Sequence, residues 1–179
     1  MKPIVLFMFL AAFCCGCNSD SRTGKQYGVL EDKSEIFRAS LDIIIPKDDN
    51  LCLYYTTDGS SNFLQSKSIW KKIEGRPGKQ QVVFSLPQKI KPTQLRIDLG
   101  NNQSQQDIYL KKITLSYKGK TVELPGTVIF SYFMPDVTKT TFDATTGLIQ
   151  GEGKNGIRQS PSLYPKEGPL GDEIEKLVE

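Results

Sequence analysis

The 179-residue sequence predicts an all-β protein, an antiparallel two-sheet β-sandwich of jelly-roll type that ends in a short C-terminal helix. Three observations predict it. About seven segments carry the apolar–polar alternation of half-buried strands. Gly, Pro, Asn and Asp separate them at a spacing of roughly 8–15 residues. No long stretch between them repeats its apolar residues at the helical period, which argues against an alternating βα arrangement.

The first strand is "IFRASLDIII" (36–45), with Phe37, Ala39, Leu41, Ile43 and Ile45 on one face and Pro46 as its stop. "LCLYYTT" (51–57) follows the turn-forming "KDDN" and ends at "DGSSN". "QQVVFSLP" (80–87) and "QLRIDL" (94–99) come next, the latter alternating Leu95, Ile97 and Leu99 with Arg96 and Asp98. In "DIYLKKITLSY" (107–117) the apolar parity changes at Lys111-Lys112, as a β-bulge would make it do. "KG" then turns the chain into "KTVEL" (120–124), a hairpin by spacing. "TVIFSYF" (127–133) reads as a further strand. Beyond Thr138 the alternation fades, and residues 150–171 form a Gly-, Pro- and Ser-rich arm, expected to drape over the sandwich or to be partly mobile. "GDEIEKLVE" closes the chain as a short helix with Asp172 and Glu173 in its first turn. The predicted organisation is therefore a signal segment at 1–16, a tether at 17–34, a sandwich at 35–137 and an extension at 138–179.

Composition excludes several functions. The formal charge of +3 is the small difference between 23 basic and 20 acidic residues, without the clustering that a nucleic-acid partner requires. Histidine is absent, which removes Ser-His and Cys-His nucleophile pairs and nearly all zinc sites. Chemistry based on carboxylates alone survives that test.

The N-terminus addresses the chain. Lys2, an apolar run from Ile4 to Phe13 and small residues after it have the parts of an export signal. The run is too short to span a bilayer, which takes about 20 apolar residues. Gly16-Cys17 resembles the bacterial lipobox, although Cys14 stands where that family usually has leucine. The resemblance implies lipidation at Cys17, with palmitate-type acyl chains as the membrane anchor and Cys14 and Cys15 lost with the signal. Asn18 in place of aspartate then favours the outer over the inner membrane. The one cysteine left would be Cys52, in an apolar stretch where a buried thiol is expected.

"LYYTTDG…F", the strand ending in "SLP", "LRIDLG" and "IYLKKITL" together resemble the galactose-binding-like, carbohydrate-binding sandwiches attached to bacterial membrane glycosyltransferases and surface polysaccharide enzymes. The resemblance covers about residues 51–117 and implies a sandwich fold and a glycan ligand. Aromatic faces with polar neighbours suit sugars. The candidates are Trp70, Tyr55 and Tyr109, with Tyr132 and Tyr164 behind them, and the amides of Asn101 and Asn102 in the loop "GNNQSQQD" (100–107). No cofactor is expected, though the oxygen-rich loops 46–50 and 56–59 could take a structural calcium ion. Asp98, Asp107, Glu123 and Asp136 are the acids that a carboxylate-only glycosidase would use. The leading expectation is a non-catalytic, lipid-anchored envelope protein that binds a glycan. The alternative is an assembly lipoprotein that docks another envelope protein through a sheet edge or the C-terminal arm.

Overall fold

The computed structural model describes residues 34–179; the expected signal segment, Cys17 and nearly all of the expected tether lie outside them. Along the chain run β1 (Arg38–Ile45), β2 (Asp49–Thr56), β3 (Ser68–Ile73), β4 (Arg76–Ser85), β5 (Gln94–Asp98), β6 (Ile108–Tyr117) and β7 (Lys120–Pro125). A single turn of helix, α1 (Ile129–Tyr132), leads into β8 (Phe133–Pro135), β9 (Thr140–Asp143) and β10 (Leu148–Gly151). The small hairpin β11 (Gly153–Lys154) and β12 (Ile157–Arg158) precedes β13 (Ser162–Pro165) and the helix α2 (Pro169–Val178).

Two antiparallel sheets make the all-β sandwich that the alternation predicts. One is ordered β4-β1-β6-β10-β9, with β7 sharing the far side of β6 with β10; the other is β3-β2-β5-β13-β8. Alternation decides what fills the space between them. Ala39, Leu41, Ile43 and Ile45 of β1 and Leu110, Ile113 and Leu115 of β6 face inward, and all are fully buried. They meet Leu51 and Leu53 of β2 and Leu95 and Ile97 of β5, which are equally buried. The predicted bulge is present: Asp42 pairs with Lys112 and Ile43 with Leu110, so Lys111 is the extra residue and the inward parity switches there.

Two expectations are corrected. "TVIFSYF" is not a strand. After Pro125 and the left-handed Gly126 (φ 46°), the chain turns through a 3-10 segment into α1. Ile129 and Phe133 then fall on one side, four residues apart, and both are fully buried. Nor is 138–179 an extension added to a sandwich already complete at residue 137. β10 pairs with β6 and β13 inserts between β5 and β8, so both sheets are completed from beyond residue 137. The helix α2 buries Leu170, Ile174, Leu177 and Val178 against β5, β6 and β7. Asp172 in its first turn and Lys176 in its last suit the helix dipole.

Cys52 is fully buried, on the outward parity of β2 and opposite Trp70 and Asp98. Desolvation pushes its thiol up to about 11, so roughly one part in a thousand is thiolate at pH 8. In a chain with Cys14, Cys15 and Cys17 replaced by serine, iodoacetamide is expected to spare the native protein and to label Cys52 on denaturation. Mass spectrometry before and after urea checks this.

Candidate functional site

β1 separates two ends of the sandwich by roughly 25 Å at about 3.3 Å per residue. The chain enters at one of them, where the Glu35 carbonyl accepts from Lys89 N–H and its carboxylate pairs with Lys118 at 2.6 Å. The opposite end gathers the β1–β2 turn (46–48), the 100–107 loop and the start of β6.

A buried carboxylate organises that far end. Asp49 is 4% exposed, and its Oδ1 accepts from the backbone N–H groups of Asn50, Asn101 and Asn102 at 2.8, 2.7 and 2.9 Å. Its Oδ2 accepts from Gln105 Nε2 at 3.0 Å. The same Gln105 amide accepts from Lys47 N–H at 3.0 Å and donates to the Lys47 carbonyl at 2.7 Å, which ties the two loops together. Gly100 (φ 100°) lies directly on the Asp49 carboxylate, where any Cβ would overlap it.

This framework presents a polar cleft of about 370 Å³ lined by Gln103, Gln105, Gln106, Asp107, Gln150 and Arg158, with Gly151, Gly153 and Gly156 opening its wall. Gln150 Nε2 donates to Asp107 Oδ1 at 2.7 Å, which holds the carboxylate in place. Gln103 and Gln106 make no side-chain hydrogen bond among the described residues, so their amides are available. Arg158 lies over Gly151, where a Cβ would strike its side chain, and its Nη1 donates to the Asn102 carbonyl at 3.4 Å. Its buried Nη2 has no partner among the described residues. Burial lowers the Arg158 pKa, against the opposing fields of Asp49 and Asp107. A second, open groove of about 460 Å³ shares Gln106 and Asp107 with the cleft and adds Pro46 and Tyr109. The Lys111 ammonium sits 4.9 Å from the Tyr109 ring centre.

The sequence-predicted residues divide. Tyr109 borders the site. Tyr55 does not: it shares the parity of Leu51 and Leu53, is 8% exposed and belongs to the core. Asn101 and Asn102 lie in the right loop but are spent on its architecture. Asn101 Oδ1 accepts from Asn50 at 3.4 Å, while Asn102 donates to the Asp48 carbonyl at 2.7 Å and accepts from Ser104 N–H at 2.8 Å. The cleft-lining positions are the glutamines and Asp107 just after them. Trp70 is half-exposed on β3 of the other sheet and lines no part of the cleft. Tyr164 belongs to a ladder on that sheet's outer face, where the Arg96 guanidinium lies 4.9 Å from the Tyr54 ring centre and 4.7 Å from that of Tyr164.

Among the candidate acids, Asp98 takes a two-point bond from Arg96 at 2.8 Å and Glu123 pairs with Lys112 at 2.7 Å. Asp136 caps its own turn at Thr138. The loops considered for calcium use their carboxylates similarly: Asp48 accepts from Gly75 N–H and Asp58 from Ser60. Among the described residues no group of three or more acidic or cysteine side chains is placed to hold a metal.

Sequence reasoning missed Arg158 and Gln150. Both sit in the Gly-rich segment whose short strands show no alternation. The fold and this end cleft define a β-sandwich with a polar cleft at the end opposite Glu35. The chain matches no protein-family model and no curated protein.

Proposed function

We propose that the protein is a non-catalytic, lipid-anchored lipoprotein of the bacterial envelope, in the outer rather than the inner membrane, whose sandwich binds a glycan in the end cleft. One observation carries the reading: Gln103, Gln106, Asp107, Gln150 and Arg158 converge on a cleft that continues into the groove beside Tyr109. Side-chain amides offer a donor and an acceptor at fixed separation, the pattern that neighbouring sugar hydroxyls need. The Asp107 carboxylate accepts from hydroxyls and Arg158 donates to ring or carbonyl oxygens. Paired-carboxylate hydrolysis needs two acids across a cleft, whereas Asp107 is the one carboxylate in this lining. That supports binding over hydrolysis.

A shallow polar site of this kind gives affinities of micromolar to millimolar order, about 4–8 kcal/mol. On a glycan array, residues 34–179 are expected to retain a defined set of sugars. Asp107→Ala is expected to weaken that binding by about 10–100-fold, the worth of about 1.5–3 kcal/mol for bonds to a charged group. Retention unchanged by Asp107→Ala and by Gln150→Ala would remove the cleft from the account. Cys17→Ser is expected to abolish incorporation of labelled palmitate and to release the protein from the membrane fraction; continued labelling would place the anchor elsewhere.

A further inference from the structure

Trp70 and its neighbours are not used by the end cleft. They lie on β3, the terminal strand of its sheet, and β4 is likewise terminal in the other sheet. The two are consecutive in the chain, so one flank of the sandwich carries both edges. Among the described residues nothing pairs with the outer side of β3. Between the two edges runs a groove of about 330 Å³ lined by Lys71, Lys72, Glu74, Arg76, Gln80 and Gln81. Its lining holds three cations against one carboxylate. Trp70, Lys71 and Lys72 are consecutive exposed residues on the edge itself, and Trp70 is 47% exposed.

An unpaired edge offers main-chain N–H and C=O groups to an incoming strand. Charge decides which strand. A second copy of β3 would set lysine against lysine, and like charges across a strand pair are destabilising. An acidic strand does the reverse. We infer that the β3 edge takes an extended acidic peptide by antiparallel strand addition. The register follows from the order of side chains. Successive partner residues face Lys72, Lys71 and then Trp70, so the motif is acidic, acidic, apolar. Opposed Cβ atoms in such a pair lie about 4.5–5.5 Å apart, close enough for each contact. This surface is independent of the end cleft and of the anchor.

Trp70 is the chain's single tryptophan and so reports on this edge alone. The test adds end-capped peptides to the purified full chain and follows Trp70 fluorescence. The peptide TEEVVT is expected to give a saturable blue shift that weakens with salt. TKKVVT, and TEEVVT N-methylated at alternate backbone positions, are expected to give none. In the double variant Lys71→Glu, Lys72→Glu the preference is expected to invert, with TKKVVT now giving the shift, which also shows that the variant is folded. Silence with TEEVVT at millimolar concentration overturns the inference. So does an equal response to the N-methylated peptide, which would mean charge attraction without strand pairing.

Discussion

Asp49→Ala is expected to lower stability by about 2–3 kcal/mol, the upper part of the range for leaving a buried donor without its acceptor. The reason is the set of donors left behind. The N–H groups of Asn50, Asn101 and Asn102 and the Gln105 amide all point at this one carboxylate, which is 4% exposed. Without it the buried Gln105 amide loses an acceptor, at about 1–3 kcal/mol before relaxation, and the three partly buried N–H groups must turn to water. Asp49→Asn is expected to fall between the two, because one half of its amide must face a donor. Urea denaturation followed by circular dichroism measures the effect. The same variants are expected to lose glycan affinity, since Gln103, Gln106 and Asp107 hang on the loop that Asp49 holds. Asp107→Ala separates the two consequences: it is an exposed residue, expected to change stability by no more than about 0.5 kcal/mol while losing the ligand. A stable Asp49→Ala protein would show that the loop is held by something else.

A chain ended at residue 137 is expected not to fold. That cut removes β9, β10, β13 and α2, and with them the buried side chains Ile149, Leu163, Leu170, Ile174, Leu177 and Val178. At about 1.5–3 kcal/mol for each fully buried aliphatic side chain the loss is roughly 9–18 kcal/mol. A domain's whole stability is about 5–15 kcal/mol. The cut also strips β13 from the edge of β5 and uncovers the core side of β6 and β7. Thermal unfolding of the truncated chain is expected to show no cooperative transition. A transition like that of the intact protein would restore 35–137 as an independent domain.

Long, alternating strands were legible in the sequence; short ones were not. β1, β5 and β6 show their buried face directly, and even the extra residue at Lys111 shows as a change of parity. β9, β10 and β13 have four residues each, too few for two full repeats of the pattern, and β13 is buried at Ser162, Leu163 and Pro165 alike. Their pairing depends on partners distant in the chain, which composition does not report. "TVIFSYF" misled for a related reason: its run of apolar residues fits a strand or a helical turn equally well, and Gly126 with the burial of Ile129 and Phe133 decided it. At the site, the loop 100–107 and Tyr109 were visible as a polar stretch beside an aromatic. Arg158 was not, because only the pairing of β10 with β6 brings residues 150–158 to that end. Trp70 was visible as an exposed aromatic but belongs to a strand edge rather than the cleft.

Glycan binding in the end cleft has a residue-by-residue signature. Its most direct test is amide chemical-shift mapping of residues 34–179 against the glycan that the array retains best. Shifts are expected only at residues 103–107, 150–153 and 158, with Tyr109 beside them and Trp70, Tyr54 and Tyr164 unmoved. Shifts centred on those last three residues, or an array from which the folded domain retains nothing, would contradict it.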